Sequence, residues 1–445
     1  MPGAMVQLNS RGEQDQWLNC KPQHFLFKTA FKRHGGFAFQ TFEESFNLCS
    51  FGETSICTIP HNIDLITNVT LRIQLPSLNL AHLAATNICR KDIDLTKTCT
   101  CVTCDKHSKS STCFGWSNSI GHAIIDEYSF NVANTCINKS TGEWLDWKSE
   151  YSQTVEKKSG YWEMIGKRDP PSFKPSSLSG AQDLLVPLDL YFTGKPDLAF
   201  PSCAVHDDNQ TISIKWRNFN DCWITSNNGS VPTIIPQIKA SLLIEGVFLD
   251  NQERERFVNN NQLYLIKQIQ KTGPTYFSKN IRSPMVDLDV LHPVTGIYWA
   301  VRRADYKKRS TSSKDSDFSY GNDLYNYSCF KSRNKNTPQD PFATCQLILD
   351  GEPRENELPA KFFRLLQPYY RQTKIPSNYL YNYNFNMYPN DTHPNGSCNM
   401  SMINSKKLRC SMIENYPVDY EIITYCESYN FLIVKNGKIA IAFTV

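Results

Sequence analysis

The chain has 445 residues, of which 40% are hydrophobic and 20% are charged, so it can build folded cores and is unlike a disordered tail. This length exceeds what one hydrophobic core usually organises, which predicts two domains. The 47 Lys and Arg residues stand against 43 Asp and Glu, and a formal net charge of +4 is too small to predict direct binding of nucleic acid.

The N-terminal segment does not resemble a signal peptide, because Arg11, Glu13 and Asp15 fall where an apolar run would lie. This indicates a protein made in the cytosol. Residues 1–23 have little apolar content, so we expect an N-terminal arm that orders on contact, with Trp17 as a candidate interface residue. The sequence has no run of eighteen apolar residues, so association with a membrane is expected only through partners.

The first half of the chain, residues 24–220, contains short segments in which apolar and polar residues alternate. Alternation with a period of two, together with β-branched and aromatic residues, is typical of β-strands. The clearest segments are 63–75, 182–192 and 211–216.

A cysteine-rich insert, residues 79–115, interrupts this pattern. Cys99, Cys101, Cys104 and His107 could supply zinc ligands, since thiolates and an imidazole at short spacing suit tetrahedral coordination. The spacing of Cys99 and Cys101 is not typical of a zinc knuckle, however, and no second Cys-x-x-Cys pair follows. Disulfides formed under oxidising conditions and unpaired loop thiols remain alternatives. No metal site is therefore assigned, and no other cofactor is expected.

The chain then changes character around residues 221–236, a polar stretch with Asn-Asn-Gly-Ser and two prolines that predicts a linker. Residues 237–445 return to strand-like texture, and Asn436-Gly437 between two apolar segments predicts a hairpin turn. Helical patterning is scarce. The segments that carry these signals are 238–249, 379–387 and 429–443 for strands, and 253–258 with its continuation toward Ile269, and 359–366, for helices.

These features together predict a mainly β protein of two sandwiches, and they give no support to catalysis. The sequence has no Gly-x-Ser-x-Gly, His-Glu-x-x-His or phosphate-loop motif, and no grouping of nucleophile, base and orienting residue. The chain is therefore predicted not to be an enzyme. The charge run Glu253–Arg256 is expected to form a solvated helix face with pairs three and four residues apart.

Motifs distributed over the whole chain resemble the major capsid proteins of the nucleocytoplasmic large DNA viruses, the group of iridoviruses, phycodnaviruses and mimivirus relatives. The order and spacing of the motifs carry this resemblance more than any one motif does. They are the opening residues 1–40, GW at 115–116 with NSIGHA at 118–123, GEWLD at 142–146, YWEMIG at 161–166, YFTG at 191–194, LDNQERERF at 249–257, LHPV at 291–294, and 381–401.

The resemblance implies a double jelly roll, that is, two consecutive eight-stranded sandwiches in one chain. It also implies a homotrimer that forms a six-lobed capsomer and tiles an icosahedral shell. Further partners would be neighbouring capsomers and minor capsid proteins, with an inner membrane contacted only indirectly and no direct contact to nucleic acid. The expected location is the virion capsid, assembled in the host cytoplasm.

Two alternatives stay open at this stage. Residues 399–404 read NMSMIN where the family usually has a positive and a negative charge, which leaves a minor capsid protein or assembly-scaffold paralogue as an alternative role. A glycan-binding sandwich is the alternative from another class, because lectins use similar folds. For the trimer, Tyr369 and Tyr370, together with the segment 379–383, are the candidate aromatic anchors, unless they belong to the jelly-roll core.

Overall fold

The computed structural model describes residues 3–10, 12, 21, 27, 33–78, 114–168, 179–205, 208–225, 232, 235–307, 321–328, 340–414, 416 and 418–443. Met1–Phe37 and Ala38–Val445 form two compact units. In the first unit, the predicted arm contains a short helix, α1 (Gly3–Asn9). Ser10 follows this helix, and its hydroxyl donates a hydrogen bond to the carbonyl oxygen of Val6 at 2.7 Å.

The second unit is built mainly from β-strands, as the alternating sequence pattern predicts. The strands are β1 (Phe37–Ser45, starting at the border of the two units), β2 (Thr54–Thr58), β3 (Leu65–Leu75), β4 (Phe114–Trp116), β5 (Ile125–Val132), β6 (Thr135–Ser140), β7 (Gln182–Pro187), β8 (Gln210–Trp216), β9 (Trp223–Thr225), β10 (Lys239–Leu249), β11 (Gln262–Phe277), β12 (Met285–Asp287), β13 (Pro293–Arg303), β14 (Phe342–Leu349), β15 (Glu352–Pro353), β16 (Leu358–Pro359), β17 (Tyr381–Asn384), β18 (Cys398–Asn399), β19 (Lys406–Met412), β20 (Tyr420–Lys435) and β21 (Lys438–Ile441).

Short helices are inserted between these strands. They are α2 (Ile120–Ala123), α3 (Gly142–Ser152), α4 (Val155–Ile165), α5 (Asn251–Asn259), a π-helical turn (Phe362–Leu366) that continues into α6 (Gln367–Arg371), and the 3₁₀ turns Pro196–Leu198, Ser202–Ala204, Phe219–Asp221 and Met400–Met402. The helix predicted at 253–258 is confirmed as part of α5, but its continuation toward Ile269 is wrong. That segment is β11, which pairs with β20 from Gln262 opposite Val434 to Phe277 opposite Tyr420, with an irregularity between Thr272 and Thr275.

The two halves of the chain share one strand order. In the first half, the sheets run β1-β10-β3-β7 and β2-β8-β5-β6. In the second half, they run β11-β20-β13-β17 and β12-β19-β14-β15. If the eight strands on these paths are numbered along the chain in each half, leaving out β4 and β9 in the first half and β16, β18 and β21 in the second, both halves have the order 1-8-3-6 in one sheet and 2-7-4-5 in the other. Each half is therefore an eight-stranded jelly roll, and the fold is a double jelly roll as predicted.

The strand pairing corrects the predicted boundary between the halves. Strand β10, which the sequence placed in the second half, pairs with β3, with Leu242 opposite Leu71. It is the eighth strand of the first jelly roll and lies between that roll's first and third strands. The predicted linker 221–236 therefore falls within the first jelly roll, since it contains β9 and precedes β10. The second jelly roll begins after Leu249 and not at residue 237.

The predicted cysteine-rich insert also ends earlier than expected. Phe114 and Gly115 belong to β4, which pairs with β9 in a separate two-stranded sheet, with Phe114 opposite Thr225. This pairing places both ends of the connection between β3 and β4 on the first jelly roll. The four candidate metal ligands Cys99, Cys101, Cys104 and His107 lie outside the described residues.

The core is continuous across the two jelly rolls. Alternate residues of β3, such as Val69, Leu71 and Ile73, are fully buried, as period-two patterning requires. The cluster that contains them extends through α3 to Tyr298 and Tyr425 of the second jelly roll. A second cluster fills the space between the two sheets of that roll. The hydrophobic core thus joins the two rolls.

The hairpin predicted at Asn436-Gly437 is confirmed. These residues connect β20 to β21, with Lys435 opposite Lys438. Both have positive φ, 52° at Asn436 and 75° at Gly437, which is the conformation that a two-residue type I′ turn needs.

Candidate functional site

A concentration of buried polar groups lies where the two jelly rolls meet, around helix α3, which we call the junction helix. Nine of its eleven residues are buried, including the polar residues Glu143, Asp146 and Glu150. Its first turn is capped by Thr141, whose hydroxyl accepts a hydrogen bond from the backbone N–H of Trp144 at 3.2 Å. The helix contributes both aromatic rings and carboxylates to the contact with the second jelly roll.

The first group of charges on the junction helix centres on Glu143. Arg302 of β13 donates to Glu143 at 2.7 Å through Nη1 and to Glu421 of β20 at 2.6 Å through Nε. Burial opposes ionisation of Glu143, but the nearby Arg302 and Lys271 outweigh it and lower the pKa of this carboxyl. A cation from the second jelly roll therefore compensates an anion from the first.

The second group contains Asp146 and Glu150. Lys167, just beyond α4, donates to Asp146 at 3.0 Å and to Glu150 at 2.9 Å. The other oxygen of Glu150 accepts hydrogen bonds from the backbone N–H and the hydroxyl of Ser377, at 3.1 and 2.6 Å. His122 is fully buried beside Asp146 at 3.6 Å, and desolvation lowers the pKa of its imidazole. Glu150 thus fixes a loop of the second jelly roll to the first.

The third group is centred on Glu427 of β20. Lys148 of the junction helix lies 3.3 Å from one oxygen of Glu427, and Lys267 of β11 lies 3.6 Å from the other. Burial alone would raise the pKa of Glu427, but Lys148, Lys267 and Lys195 lower it to about 2. The charge on Glu427 is therefore held between lysines of both jelly rolls.

Aromatic contacts complete the junction. Trp147 donates from Nε1 to the hydroxyl of Tyr327 at 2.7 Å and packs edge-on against Tyr425 with ring centroids 5.0 Å apart. Trp144 packs in the same manner against Tyr298 at 5.2 Å. Edge-to-face pairs of buried rings add to the free energy gained by burying their area, so these contacts stabilise one arrangement of the two rolls.

This arrangement is suited to fixing geometry, and it does not form a reactive site. Its carboxylates are neutralised by Lys and Arg, and its imidazole is buried against a carboxylate. Within the described ranges, no group of three or more His, Cys, Asp or Glu side chains is placed to hold a metal ion. The junction can therefore fix the orientation of one jelly roll relative to the other.

The predicted interface residues divide into three classes. Trp17 lies outside the described residues. Tyr369 and Tyr370 on α6 are 68% and 67% exposed and pack against each other with centroids 5.3 Å apart, so the alternative that they are core residues is wrong. Tyr381 and Tyr383 are buried in the second jelly roll, so the segment 379–383 belongs mainly to the core.

The charge run in α5 also has a role that its sequence did not predict. Arg256 pairs with Glu253 at 2.7 Å on the helix surface, as expected. Arg254, in contrast, makes a bidentate contact with Asp64 at 2.8 and 2.9 Å, and Asp64 also accepts from the backbone N–H of Leu249. The helix that starts the second half of the chain is therefore fixed to the first jelly roll.

Sequence reasoning did not identify the junction helix as a functional element. A helix buried on all sides lacks the apolar stripe that marks a surface helix. The available signals were the capping residue Thr141 and the motif GEWLD at 142–146, in which two acids stand beside a tryptophan. Their partners in β13 and β20 are separated from them by more than 150 residues, as the 159 positions between Glu143 and Arg302 illustrate.

Family models match most of the chain. A model described as "Major capsid protein N-terminus" matches residues 25–250, and one described as "Large eukaryotic DNA virus major capsid protein" matches residues 253–440. The gap between the two matches coincides with the boundary after Leu249 that the strand pairing gives.

Individual relatives agree with the family models. The "Major capsid protein" of Phaeocystis pouchetii virus is 24% identical over 547 aligned positions, which cover 100% of both chains. "Capsid protein 1" of Acanthamoeba polyphaga mimivirus is 30% identical over 69% of this chain and 50% of its own length.

Solved structures show the same fold. The VP54 protein of PBCV-1, in a crystal structure fitted into a reconstruction of the virophage Sputnik, superposes with a TM-score of 0.71 at 18% identity, covering 95% of this chain and 100% of that one. The Faustovirus major capsid protein superposes with a TM-score of 0.69 at 12% identity, covering 97% and 96%. With two family models matched in sequence along the whole double jelly roll, the chain belongs to the family of major capsid proteins of large eukaryotic DNA viruses.

Proposed function

We propose that this chain forms homotrimers that act as pseudo-hexagonal capsomers in the icosahedral shell of a large double-stranded DNA virus. The observation that supports this most directly is the repeated strand order, 1-8-3-6 and 2-7-4-5, in both halves of the chain. Three such chains around a threefold axis present six similar lobes, and cyclic symmetry closes the assembly while its outer edges stay available to neighbours.

The junction supports the same proposal. Both lobes of a lattice subunit contact neighbouring subunits at the same time, so the two lobes need a fixed relative orientation. Glu143, Glu150 and Glu427 are buried, and each joins the two jelly rolls through an ion pair, with Arg302, Lys374 and Lys148 respectively. Rotation of one lobe against the other would break these contacts and leave buried charges with fewer partners, so it is opposed.

Tyr369 and Tyr370 are our proposed trimer contacts. With Leu366, which is also exposed, they form an aromatic and aliphatic surface on the second jelly roll. Tyrosine is enriched in the cores of protein interfaces, because its ring buries a large area at a small cost in conformational entropy. These side chains are exposed in the single chain and would be covered in the trimer.

Sedimentation velocity of the purified protein tests the trimer, and the expected mass is three times that of one chain. Replacing Tyr369 and Tyr370 together by Ser should shift the distribution to monomer without lowering the melting temperature of the monomer. Tyr276→Ser is the matched control, since Tyr276 is 66% exposed on β11 and lies outside the proposed contact. A double variant that remains trimeric would exclude these tyrosines as the contact, and a wild-type chain that stays monomeric would contradict the trimer.

The remaining partners follow from the same assembly. We propose neighbouring capsomers and minor capsid proteins as contacts, with the N-terminal arm 1–23 and Trp17 directed to the minor proteins, and assembly in the host cytoplasm. The structure describes no helix long and apolar enough to cross a membrane, and we propose that contact with an inner membrane is indirect. Deleting residues 2–20 should leave trimers intact but reduce their incorporation into shells, as measured by particle yield.

A further inference from the structure

A cleft of about 450 Å³ opens beside the junction helix, and residues of both jelly rolls line it. Lys148 of the junction helix, Lys157 of α4 and Lys195 after β7 come from the first roll, and Thr373 and Asn390 come from the second. A volume of this size lies within the range of small-molecule sites and is many times that of one water molecule.

The cleft carries an excess of positive charge. Three ammonium groups line it against one carboxylate, that of Asp189. Glu427, which contacts Lys148 of the lining, and Lys267 form a further pair of opposite charges. Glu427 is already engaged by Lys148 and Lys267. Asp189 accepts a hydrogen bond from Nε1 of Trp144 at 3.0 Å. The described residues therefore leave about two positive charges without a compensating anion.

Lys195 is the clearest case of a cation without a partner. Its ammonium makes no hydrogen bond or ion pair with any residue that the structure describes, although the side chain is partly buried. Burial and the neighbouring cations Lys148 and Lys267 lower the pKa of Lys195 by more than Glu427 and Asp189 raise it, so the protein bears an electrostatic cost at this position. An anion in the cleft would remove that cost.

The hydrogen-bonding groups of the cleft indicate which anion fits. The hydroxyls of Ser149, Ser152 and Thr193 donate to backbone carbonyls. Thr373 accepts from the Asn390 amide at 2.8 Å, which leaves its own proton free to donate. Recognition would therefore depend on ammonium groups and on Thr373, and lysine ammonium groups bind phosphate oxygens as point charges.

We propose that this cleft is a binding site for a phosphate-bearing anion, held by Lys148, Lys157 and Lys195. A soluble compound of the size of pyrophosphate or larger fits the volume and brings enough negative charge to match the excess. Because the cleft is lined by both jelly rolls, the bound anion stabilises their junction. One chain supplies all the residues of the cleft, so the binding of an anion there does not require a trimer.

Thermal unfolding of the full-length protein in pyrophosphate tests the site. Binding to the native state raises the melting temperature as ligand saturates, here by about 3 °C, whereas sodium chloride at matched ionic strength should not. In Lys195→Met, the melting temperature without ligand should change little, because the attraction of Lys195 to Glu427 is offset by its burial and by repulsion from Lys148 and Lys267. The response to pyrophosphate should fall by more than half.

Lys139→Met is the matched control. Lys139 lies on β6 in an exposed ion pair with Glu127 at 3.0 Å, away from the cleft, so this variant should keep the full response. The proposal is overturned if Lys195→Met responds as the wild type does, or if chloride gives the same rise in the wild type. Co-sedimentation with phosphatidylcholine vesicles containing phosphatidic acid separates the two sources of phosphate. Binding that Lys195→Met abolishes would assign the site to a lipid headgroup, and absence of binding would assign it to a soluble phosphate.

Discussion

At the scale of single residues, Arg302 links several groups of the junction. It donates to Glu143 from the first jelly roll, to Glu421 from its own, and to the carbonyl oxygen of Leu324 at 3.1 Å, and its guanidinium lies over the ring of Tyr306 with 4.2 Å to the centroid. Both carboxylates are buried, so water cannot solvate them in place of the guanidinium if Arg302 is removed.

Replacing Arg302 by Ala should lower the free energy of unfolding by about 4 kcal/mol, because Glu421 would lose its ion-pair partner and Glu143 would keep only Lys271, at 3.8 Å. Arg256→Ala, which removes only the exposed pair with Glu253, should cost less than about 1 kcal/mol. Urea unfolding monitored by tryptophan fluorescence gives both values. Equal effects of the two substitutions would show that the buried ion pairs contribute no more to the free energy of unfolding than the exposed pair does.

The Glu427 carboxyl makes stability depend on acid pH. Its pKa falls from 4.5 to about 2 in the folded chain, so its contribution is present in full above pH 4.5 and is lost as the pH decreases to about 2. A shift of this size corresponds to about 3 kcal/mol at neutral pH.

The free energy of unfolding of the wild type should therefore fall between pH 4.5 and about 2, and Glu427→Gln should be less stable at neutral pH with a shallower fall over that window. Urea unfolding across this range measures both slopes. A Glu427→Gln variant whose stability parallels that of the wild type at every pH would refute the assignment.

At the scale of elements, close packing at the start of the junction helix leaves no room for a side chain at position 142. A Cβ atom added to Gly142 would lie 2.0 Å from the carbonyl oxygen of His122 and 2.5 Å from that of Ile125. Both are backbone atoms, so no side-chain movement can relieve the contact. Glycine at this position lets the helix approach α2 and β5 closely enough to place its carboxylates in the junction.

Gly142→Ala should therefore destabilise the chain by at least about 3 kcal/mol or abolish soluble expression. Gly160→Ala in α4 is the matched control, because nothing lies within 4 Å of the added Cβ. There the better helix propensity of alanine should raise stability by up to about 1 kcal/mol. Thermal unfolding of the two variants decides, and a Gly142→Ala protein as stable as the wild type would contradict the packing argument.

At the scale of the whole molecule, the two jelly rolls share one core cluster and three groups of buried charges. Each roll has the topology of a separate sandwich, but its stability depends on contacts with the other roll. Membership of a family of structural capsid proteins also confirms the prediction that the chain is not an enzyme.

We expect the purified chain to unfold in one cooperative transition. Far-ultraviolet circular dichroism and tryptophan fluorescence should give coincident curves, and the calorimetric and van't Hoff enthalpies should agree. Arg302→Ala should weaken this coupling and broaden or split the transition. Two resolved transitions in the wild type would show that each roll unfolds independently.

Local patterns were sufficient to determine several features of this protein. Alternation in segments such as 63–75 and 211–216 predicts strands because side chains of a strand point to opposite faces with period two. The Asn436-Gly437 pair predicts its turn because both residues tolerate positive φ. The order of motifs along the chain was also enough to indicate the family, since it does not depend on knowing which strands pair.

Only the tertiary structure decided which parts of the chain meet. The polar stretch 221–236 has the composition of a linker, yet β10 after it returns to pair with β3, so that the first jelly roll ends at Leu249. Tyr369 is exposed and Tyr381 is buried although both lie in aromatic segments. The acids of the junction helix show no partners in sequence. In each case the deciding contact joins residues far apart in the chain, and local periodicity carries no information about such pairing.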